Sequence, residues 1–532
     1  MSRWNAAWRE QALPELAARE WDLIVVGGGI SGAGILREAA RRGWTCLLIE
    51  QRDFAWGTSS RSSKMVHGGL RYIAKGQLKL TRDSVHERQR LLCEAPGLVD
   101  PLSFVMPHYQ GQFPGPKVFG GLLALYDALA GKRNHQYYAL QQLRYLAPGL
   151  KEDKLLGGTR FFDAVTDDAR LVMRVLGEAR AEGAEALNGL KVLELCRVDG
   201  RVSGLLAEDV ESGQRLALKA RVVAQATGAW ADQLRRKTGS ERIRPLRGSH
   251  LLLPAWRLPL AHAFSFMHAE DGRPVFVFPW EGATVIGTTD LDHGDDINLE
   301  ARISNAEVDY LLTACAQQFP AARIDRRDVL STWAGVRPVV SNGVSGKNPS
   351  DEKREHTLWL EPGCVTLAGG KLTTFRLLAL EVLQACAPML GKTLEDHGSE
   401  VFRKLARVPL PQLSPSQQQR LAGRYGRELP MLARLLDELG SDQVGATDTL
   451  WAELAFAAEH ELVLHLDDLL LRRTRLGLLL AKGSASELPR VRQLCQARLG
   501  WDDARWVEEE QKYLQLWQRC YSLPHDAKPA QE

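Results

Sequence analysis

The chain has 532 residues, of which 45% are hydrophobic and 25% charged, and its 68 Lys and Arg exceed its 65 Asp and Glu by only three. This length and composition exclude a small scaffold held by disulfides and are typical of a globular protein with several folding units. Because the charges nearly balance, the sequence provides no basic field, and we expect no nucleic-acid partner.

The eight cysteines lie far apart in the chain and form no CxxC pair. This spacing favours neither a zinc site nor a disulfide framework, so we expect no metal and a reducing compartment. The first twenty residues carry charges throughout and lack the apolar stretch of a secretory signal. No segment has the long uncharged apolar run that a membrane-spanning helix requires. We therefore predict a cytoplasmic protein whose membrane contact is peripheral.

The segment from Trp21 to Glu50 has the pattern of a buried strand, a glycine turn, a helix and a second buried strand. Such a pattern is typical of the βαβ unit that opens a parallel sheet. Gly27, Gly29 and Gly32 form GxGxxG directly after the first strand, and Glu50 ends the second. This context predicts dinucleotide binding, and the alternative is a tight turn without a ligand.

The residue types at this turn suit a dinucleotide for physical reasons. Glycine lets the backbone turn sharply and approach a pyrophosphate, and the first amides of the helix meet the phosphate charge. The carboxylate at the end of the second strand accepts hydrogen bonds from ribose hydroxyls. The glycine pattern alone does not separate FAD from NAD.

The rest of the chain contains both strand and helix patterns. In chain order we predict a helix over 78–95, a loop-bearing insertion over 96–150, short strands over 190–228, a second sheet-containing region up to about 340, a strand, Gly-Gly and helix over 364–386, and helices almost exclusively over 415–522.

A series of short motifs follows the glycine turn in a fixed order. They are GTSSRSSKMVHGGLRY, DDARLV, ATGAW, GSHLLLP, IGTTD, AGVRP and AGGKLTTFR, with EHELVLHLDDLLLRRTRLGL beyond them. Together with DLIVVGGGISGAG, their order and spacing resemble the FAD-dependent glycerol-3-phosphate dehydrogenases, and a bacterial, aerobic, quinone-linked member most of all. The resemblance covers roughly residues 21–482.

The resemblance implies an α/β fold, α+β overall. It comprises an FAD-binding Rossmann-like domain of the glutathione-reductase/D-amino-acid-oxidase type, an interleaved sheet-containing substrate domain and a C-terminal all-helical cap. The expected boundaries are an N-terminal extension at 1–20, a discontinuous FAD-binding domain at 21–95, 151–245 and 341–400, a substrate-binding and membrane-apposed domain at 96–150 and 246–340, and the helical domain at 401–532.

Three cations are candidates for binding the substrate phosphate. Arg71, Arg337 and Lys371 each stand near glycine or proline, where a turn can fix a side chain toward a cleft. A phosphate dianion suits such a set, because Arg offers forked hydrogen bonds and Lys a point charge. Taken singly, each would be a solvated surface charge, and the resemblance is what makes them a substrate set. Tyr72 adds a hydroxyl donor, or else packs half-buried.

A proton acceptor is needed for the substrate hydroxyl. We favour His250, which precedes an apolar strand in RGSHLLLP, because an imidazole can accept a proton at neutral pH. The alternative is a core histidine bonded to the backbone. Asp290, in IGTTD, could orient the imidazole, stabilise its cation, act as the base itself, or only cap a turn. The sequence leaves these roles of His250 and Asp290 open, and Arg337 is also a candidate catalytic residue.

The resemblance adds further cofactor contacts. The hydroxyls of Thr58, Ser59 and Ser63 suit pyrophosphate or ring contacts, unless they only form a Ser-rich turn. The Gly-Gly pair precedes a helix whose amide end would stabilise negative charge on the flavin. The remaining candidates for binding FAD are Gly228, Trp230, Gly369, Gly370, Lys371, Leu372 and Thr373.

The implied reaction is oxidation of sn-glycerol 3-phosphate to dihydroxyacetone phosphate by hydride transfer to FAD, with electrons passed to ubiquinone at the inner face of the cytoplasmic membrane. The alternatives are an oxidase that uses O2 and releases H2O2, and a non-catalytic membrane-bound flavoprotein sensor. The oligomeric state, including a homodimer, is left open.

Two segments outside these motifs carry expectations of their own. Residues 115–133 mix apolar side chains with flanking Lys and Arg, as a helix lying in a lipid headgroup layer would, and the alternative is a buried helix with charged ends. We expect Arg472 and Arg473 on the surface side of a helix whose leucines enter the core.

Overall fold

The structure, a computed structural model, describes residues 4–70, 73, 76–235, 242–341 and 356–524. Arg71 and Tyr72 lie outside the described residues. The strands are β1 (Glu20–Val26), β2 (Cys46–Ile49), β3 (Met65–Val66), β4 (Val99–Tyr109), β5 (Gln136–Ala139), β6 (Leu155–Thr166), β7 (Glu185–Leu187), β8 (Leu190–Val198), β9 (Arg201–Asp209), β10 (Arg215–Gln225), β11 (Arg242–Pro254), β12 (Ala263–Met267), β13 (Pro274–Trp280), β14 (Ala283–Gly287), β15 (Leu291–Asp292), β16 (Ser331–Ser341), β17 (Thr357–Glu361) and β18 (Cys364–Ala368).

Helices cover the strands of both sheets and make up the C-terminal region. They are α1 (Ala6–Ala18), α2 (Ile30–Ala40), α3 (Leu78–Glu94), α4 (Pro116–Ala130), α5 (Leu140–Leu146), α6 (Asp168–Arg180), α7 (Ala231–Leu234), α8 (Asn305–Gln318), α9 (Phe375–Leu390), α10 (Pro415–Tyr425), α11 (Leu429–Leu439), α12 (Trp451–His460), α13 (Leu476–Leu479), α14 (Leu488–Leu499) and α15 (Asp503–Cys520).

The first sheet has a parallel centre in the order β18, β10, β1, β2, β7. Its strands are apolar along most of their length because helices cover both faces. The antiparallel strands β17, β9 and β8 complete the sheet. The predicted βαβ unit is confirmed, since β1 and β2 pair in parallel around α2. Gly34 lets α2 pack closely on α9, because a Cβ there would lie 2.8 Å from the Phe375 ring.

The second sheet is mainly antiparallel, in the order β15, β11, β14, β13, β12, β4, β6, β3, and β16 pairs with β11. It contains β6, which the predicted boundary at residue 151 assigned to the FAD-binding domain. The long pairing of β6 with β4 decides this membership and could not be read from local pattern. The predicted α/β class with a C-terminal helical region is confirmed, and the exact domain boundaries stay predictions.

The insertion over 96–150 is more ordered than its composition suggested. It contains β4, α4, β5 and α5. Helix α4 begins at Pro116, and Gly131 ends it in the left-handed conformation, so both residues favour this helix. The predicted loop-bearing insertion therefore also contains two strands and two helices. The predicted helix over 78–95 corresponds to α3.

The expectation of surface positions for Arg472 and Arg473 was also wrong, because both side chains are buried. Arg473 forms two hydrogen bonds of 2.7 Å to the Asp53 carboxylate, which Arg472 also contacts. Arg475 donates to Asp167 at 2.9 Å. These ion pairs join the segment 472–475 to the loop after β2 and to the N-cap of α6, so a run that resembles a solvated face is an internal interface.

The N-terminal segment belongs to the folded body. The carbonyl of Trp4 accepts a hydrogen bond from the backbone N–H of Leu462 at 2.8 Å, and Arg9 donates to the carbonyls of Asn188 and Gly189 at 3.0 Å each. Arg9 also pairs with Asp209 at 2.5 Å. This segment therefore links the β7–β8 connection to the C-terminal helices. Among the described residues, no helix is both long and apolar enough to cross a bilayer.

Candidate active site

A cleft opens at the carboxyl ends of four neighbouring parallel strands of the first sheet. These strands are β1, β2, β10 and β18, and parallel strands direct their carboxyl ends toward one edge, where ligands bind. The lining of the cleft includes Gly27 and Gly29 after β1, Glu50 after β2, Gly228 and Trp230 after β10, and Gly369, Gly370, Lys371 and Leu372 after β18.

The glycine turn after β1 leaves no room for side chains. Gly27 has φ of 111°, in the region that favours glycine, and a Cβ on it would lie 2.6 Å from the carbonyl oxygen of Ala226. A Cβ on Gly32 would overlap the carbonyl oxygen of Gly27. Gly29 is the N-cap of α2, and a Cβ on it would lie 3.1 Å from Ser59 Oγ. The turn therefore brings bare backbone to the wall of the cleft.

The Glu50 carboxylate is held by the backbone beside this turn. Gly28 N–H donates to one oxygen at 2.6 Å, and Arg52 N–H donates to the other at 2.9 Å. Burial raises the pKa of Glu50, and these two hydrogen bonds oppose the rise. The carboxylate thus lies fixed at the cleft, where it can accept hydrogen bonds from ribose hydroxyls.

The segment 57–63 connects the glycine turn to the second sheet. Ser59 Oγ accepts a hydrogen bond from Ile30 N–H at 3.0 Å, and the Thr58 hydroxyl donates to the Val336 carbonyl at 2.5 Å. Ser63 Oγ lies 2.9 Å from Nε2 of His250. Thr58 and Ser59 also line the cleft, whereas Ser63 lies against the histidine.

The residues predicted to contact the cofactor from β10 and β18 are arranged around the same opening. Gly228, Gly369 and Gly370 have φ of 55°, 77° and 104°, so each turn needs glycine. Trp230 donates to Asn298 Oδ1 at 2.9 Å. The Thr373 hydroxyl bonds the backbone N–H and C=O of His67 at 3.1 and 3.2 Å, and so ties the two loops together beside the cleft.

His250 is a buried, neutral histidine on the second sheet. It stands opposite Trp333 in the β11–β16 pair, and the two rings stack with centroids 4.8 Å apart and planes inclined by 12°. Burial lowers the pKa of His250 well below its usual range, and the charges of Arg337 and Lys64 lower it further. The imidazole is therefore uncharged at neutral pH.

Arg337 lies on the same sheet face as His250. Its neighbour across the strand pair is Leu246, two positions from Gly248, and side chains alternate with a period of two. A Cβ on Gly248 would lie 2.5 Å from Arg337 Nη2, so this glycine makes room for the guanidinium. Arg337 donates to Asp290 Oδ1 at 3.1 Å and to the Thr288 hydroxyl at 3.2 Å.

Comparison with known proteins is consistent with this geometry. A family model described as FAD dependent oxidoreductase matches residues 22–376, and one described as C-terminal domain of alpha-glycerophosphate oxidase matches residues 366–506. The aerobic glycerol-3-phosphate dehydrogenase of Staphylococcus haemolyticus is 32% identical over 88% of this chain and 88% of its own. This chain belongs to the FAD-dependent glycerol-3-phosphate dehydrogenase family.

Two further relatives extend the match over nearly the whole chain. Glycerol-3-phosphate dehydrogenase 2 of Mycobacterium tuberculosis is 32% identical over 96% of this chain and 90% of its own. The crystal structure of the glycerol-3-phosphate dehydrogenase from Bacillus halodurans complexed with FAD has a TM-score of 0.74, at 26% identity, over 96% of this chain and 98% of that one. FAD is therefore the cofactor of this family member, and the glycine turn, Glu50 and the loops after β10 and β18 fit it.

Several of the predicted substrate and catalytic residues lie near one another among the described residues. His250 and Arg337 lie on one face of the second sheet, and Asp290, between β14 and β15, contacts Arg337. Lys371 lines the cleft together with Pro338, which follows Arg337 in the chain. Arg71 and Tyr72 lie outside the described residues, so their part in this family member stays a prediction.

Three residues near this site, Arg273, Lys64 and Trp333, were not among those predicted from the sequence. Arg273 pairs with Asp290, and Lys64 places its ammonium 4.9 Å from the ring centroid of Trp333. Arg273 stands between a glycine and a proline, the same kind of signal that singled out Arg337, so it could have been found. Lys64 and Trp333 carry no such signal, because their meeting depends on how the segment 57–63 crosses the second sheet.

Proposed function

We propose that the protein oxidises sn-glycerol 3-phosphate to dihydroxyacetone phosphate. The observation that carries the proposal is a guanidinium, Arg337, and a neutral imidazole, His250, on one sheet face beside the cleft that fits FAD. When bound, FAD supplies the acceptor for the two electrons and the hydrogen that leave the alcohol carbon. The chain's own groups bind the phosphate, orient the alcohol and accept its proton.

The cations near the cleft give the substrate its orientation. Arg337 offers forked donors to a phosphate, Lys371 adds a point charge from the loop after β18, and Arg71 is the third predicted member. Holding the phosphate fixes the neighbouring carbinol carbon, and this positioning is a large part of what such a site contributes to the rate. A sensor without a substrate would have no need of a phosphate clamp.

His250 suits the role of base better than Asp290 does. The imidazole is uncharged at neutral pH and can take the hydroxyl proton as the C–H bond breaks. The Asp290 carboxylate already accepts from Arg337 at 3.1 Å and lies 3.5 Å from Arg273 Nη2. Both carboxylate oxygens are thus engaged with guanidinium groups, whereas the imidazole contacts the neutral Ser63 hydroxyl.

Electron transfer to ubiquinone at the membrane is the second part of the proposal. Helix α4 buries Phe119, Leu123 and Tyr126 but exposes Val118 and Leu125, by 49% and 41%. Phe113, just before the helix, is 79% exposed, and lysine and arginine residues flank the segment. An apolar helix face with cations at its ends suits an anionic lipid surface, from which a lipid-soluble acceptor is reached.

Anaerobic titration of the FAD-loaded protein tests the first part. We expect sn-glycerol 3-phosphate to remove the oxidised-flavin absorbance with one dihydroxyacetone phosphate formed per flavin, and glycerol and other phosphorylated alcohols to act far less well. Absence of bleaching would favour the sensor. Turnover with a ubiquinone analogue without oxygen supports the dehydrogenase, whereas stoichiometric H2O2 in air with no quinone turnover would favour the oxidase.

A further inference from the structure

The Asp290 carboxylate lies between two arginines that come from different strands. Arg337, in β16, donates to Oδ1 at 3.1 Å. Arg273, directly before β13, places Nη2 3.5 Å from Oδ2 and donates from Nη1 to the backbone carbonyl of Asp290 at 3.1 Å. Asp290 is only 3% exposed, so these arginines replace water as the partners of its carboxylate.

The second arginine changes the charge available to a ligand. A carboxylate paired with Arg337 alone would cancel the charge of that guanidinium and weaken its attraction for an anion. With Arg273 on the other oxygen, the three groups together carry a net charge of +1. The carboxylate can then fix the direction of Arg337 without neutralising the site.

We propose that Arg273 is a positioning residue for the phosphate end of the substrate. It shares the negative charge of Asp290, so that Arg337 keeps both its orientation and its attraction for a dianion. Asp290 in this arrangement orients Arg337 rather than His250. The proposal rests on the proposed function, because it takes Arg337 as part of the phosphate clamp.

The arrangement around Arg337 supports this division of roles. Its Nη2 also donates to the Thr288 hydroxyl at 3.2 Å, and Gly248 leaves the space that the guanidinium occupies. The side chain of Arg273 is 22% exposed and that of Arg337 is 23% exposed, so both reach the edge of the buried carboxylate from the solvent side. Neither arginine replaces the other, because each contacts a different oxygen.

Charge neutralisation provides the test. In FAD-loaded protein, Arg273→Gln should raise KM for sn-glycerol 3-phosphate and Ki for inorganic phosphate by about tenfold, with a smaller change in kcat. Adding Asp290→Asn to Arg273→Gln should bring KM and Ki most of the way back to the wild-type values, since the uncompensated carboxylate is gone. Arg257→Gln is the matched control: Arg257 pairs with Asp328 at 2.5 and 2.8 Å, and its loss should leave both constants unchanged.

The outcomes separate this proposal from the proposed function. A wild-type KM and Ki in Arg273→Gln, or a double variant no better than the single one, would overturn the inference while Arg337 remains in the clamp. Failure of the wild-type protein to bleach with substrate would overturn the proposed function instead. Should Arg273→Gln lose FAD or fail to fold, Arg273→Lys decides: a retained charge should keep Ki for phosphate within about threefold, and a tenfold rise would contradict the proposal.

Discussion

The Ser63 hydroxyl oxygen lies 2.9 Å from Nε2 of His250. Four residues earlier, Ser59 accepts a hydrogen bond from Ile30, the first residue of α2. One short segment therefore contacts both the turn that fits the FAD pyrophosphate and the candidate base. This segment therefore links the position of the cofactor turn to that of the candidate base.

Replacing His250 should impair the chemical step and leave cofactor binding intact. We expect His250→Asn to slow flavin reduction by substrate about 10²- to 10⁴-fold, because a positioned proton acceptor is lost. Ser63→Ala removes one hydrogen bond to the imidazole and should slow it by about tenfold at most. Stopped-flow absorbance at saturating substrate measures both. Equal effects of the two variants would contradict the role of His250 as base.

The pKa of His250 predicts the acid limit of the reaction. Because burial and nearby cations hold this pKa well below 6.5, the imidazole stays neutral, and the rate of flavin reduction at saturating substrate should not decline until the pH is below about 6.5. Between that pH and the folded pKa, the unfolded chain binds the proton more readily than the native protein does. Stability should therefore fall as the pH drops through this window. A rate of flavin reduction that already declines above pH 7 would contradict the role of His250 as base.

The glycine turn allows a sharp test of FAD binding. Gly32→Ala places a Cβ against the Gly27 carbonyl, so the turn must move, and we expect at least about a tenfold loss of FAD affinity. Gly120→Ala, within α4, is the control, because a Cβ there meets nothing within 4 Å. Flavin absorbance per protein after gel filtration measures the difference. Similar FAD occupancy in both variants would argue against the glycine turn as part of the FAD site.

Local patterns predicted the cofactor half of the site. A strand, a glycine turn and a helix lie within thirty residues, and this unit alone brings Gly27, Gly29 and Glu50 to the cleft. Gly32 packs against the Gly27 carbonyl within the same unit. The same holds for Gly369 and Gly370 after β18. Such positions follow from backbone constraints that a sequence records directly.

The substrate half depends on strand register, which the sequence does not record. Arg273, Asp290 and Arg337 meet because β13, β14, β11 and β16 are neighbours in a particular order. The buried Arg472 and Arg473 were misjudged for the same reason, since their partner Asp53 lies more than four hundred residues earlier. A charged run looks solvated until its distant partner is known.

The N-terminal helix should stabilise the fold through Arg9. Arg9→Ala leaves Asp209 without its partner in a buried position, which costs about 3–5 kcal/mol in comparable pairs. Burial alone would raise the pKa of Asp209, but the hydrogen bonds from Arg9 and Ser212 lower it, so this stability is present above pH 4 and lost as the pH falls through the folded pKa.

The matched control for Arg9 is the exposed Arg215, which lies 3.5 Å from Glu208. Arg215→Ala should cost less than about 1 kcal/mol, as exposed pairs do. The temperature at which flavin fluorescence appears on heating measures both variants. Equal shifts would show that the Arg9 contacts contribute no more than a surface pair.

Membrane attachment is predicted to depend on the exposed face of α4. Val118→Asp with Leu125→Asp should reduce binding to vesicles containing anionic lipid at least about tenfold, because charges replace apolar side chains at the interface. Val507→Asp, at a position 58% exposed on α15, is the control and should bind as the wild type does. Sedimentation with vesicles measures the bound fraction. Wild-type binding of the double variant to vesicles would show that the membrane contact lies outside this face of α4.

The most direct test of the central claim is anaerobic single-turnover reduction of the FAD-loaded protein by sn-glycerol 3-phosphate with deuterium at C2. Transfer of that hydrogen to the flavin predicts slower loss of the oxidised-flavin absorbance than with the protonated substrate, and one dihydroxyacetone phosphate per flavin. An absorbance that stays unchanged with both substrates would contradict the proposed oxidation of sn-glycerol 3-phosphate by the flavin.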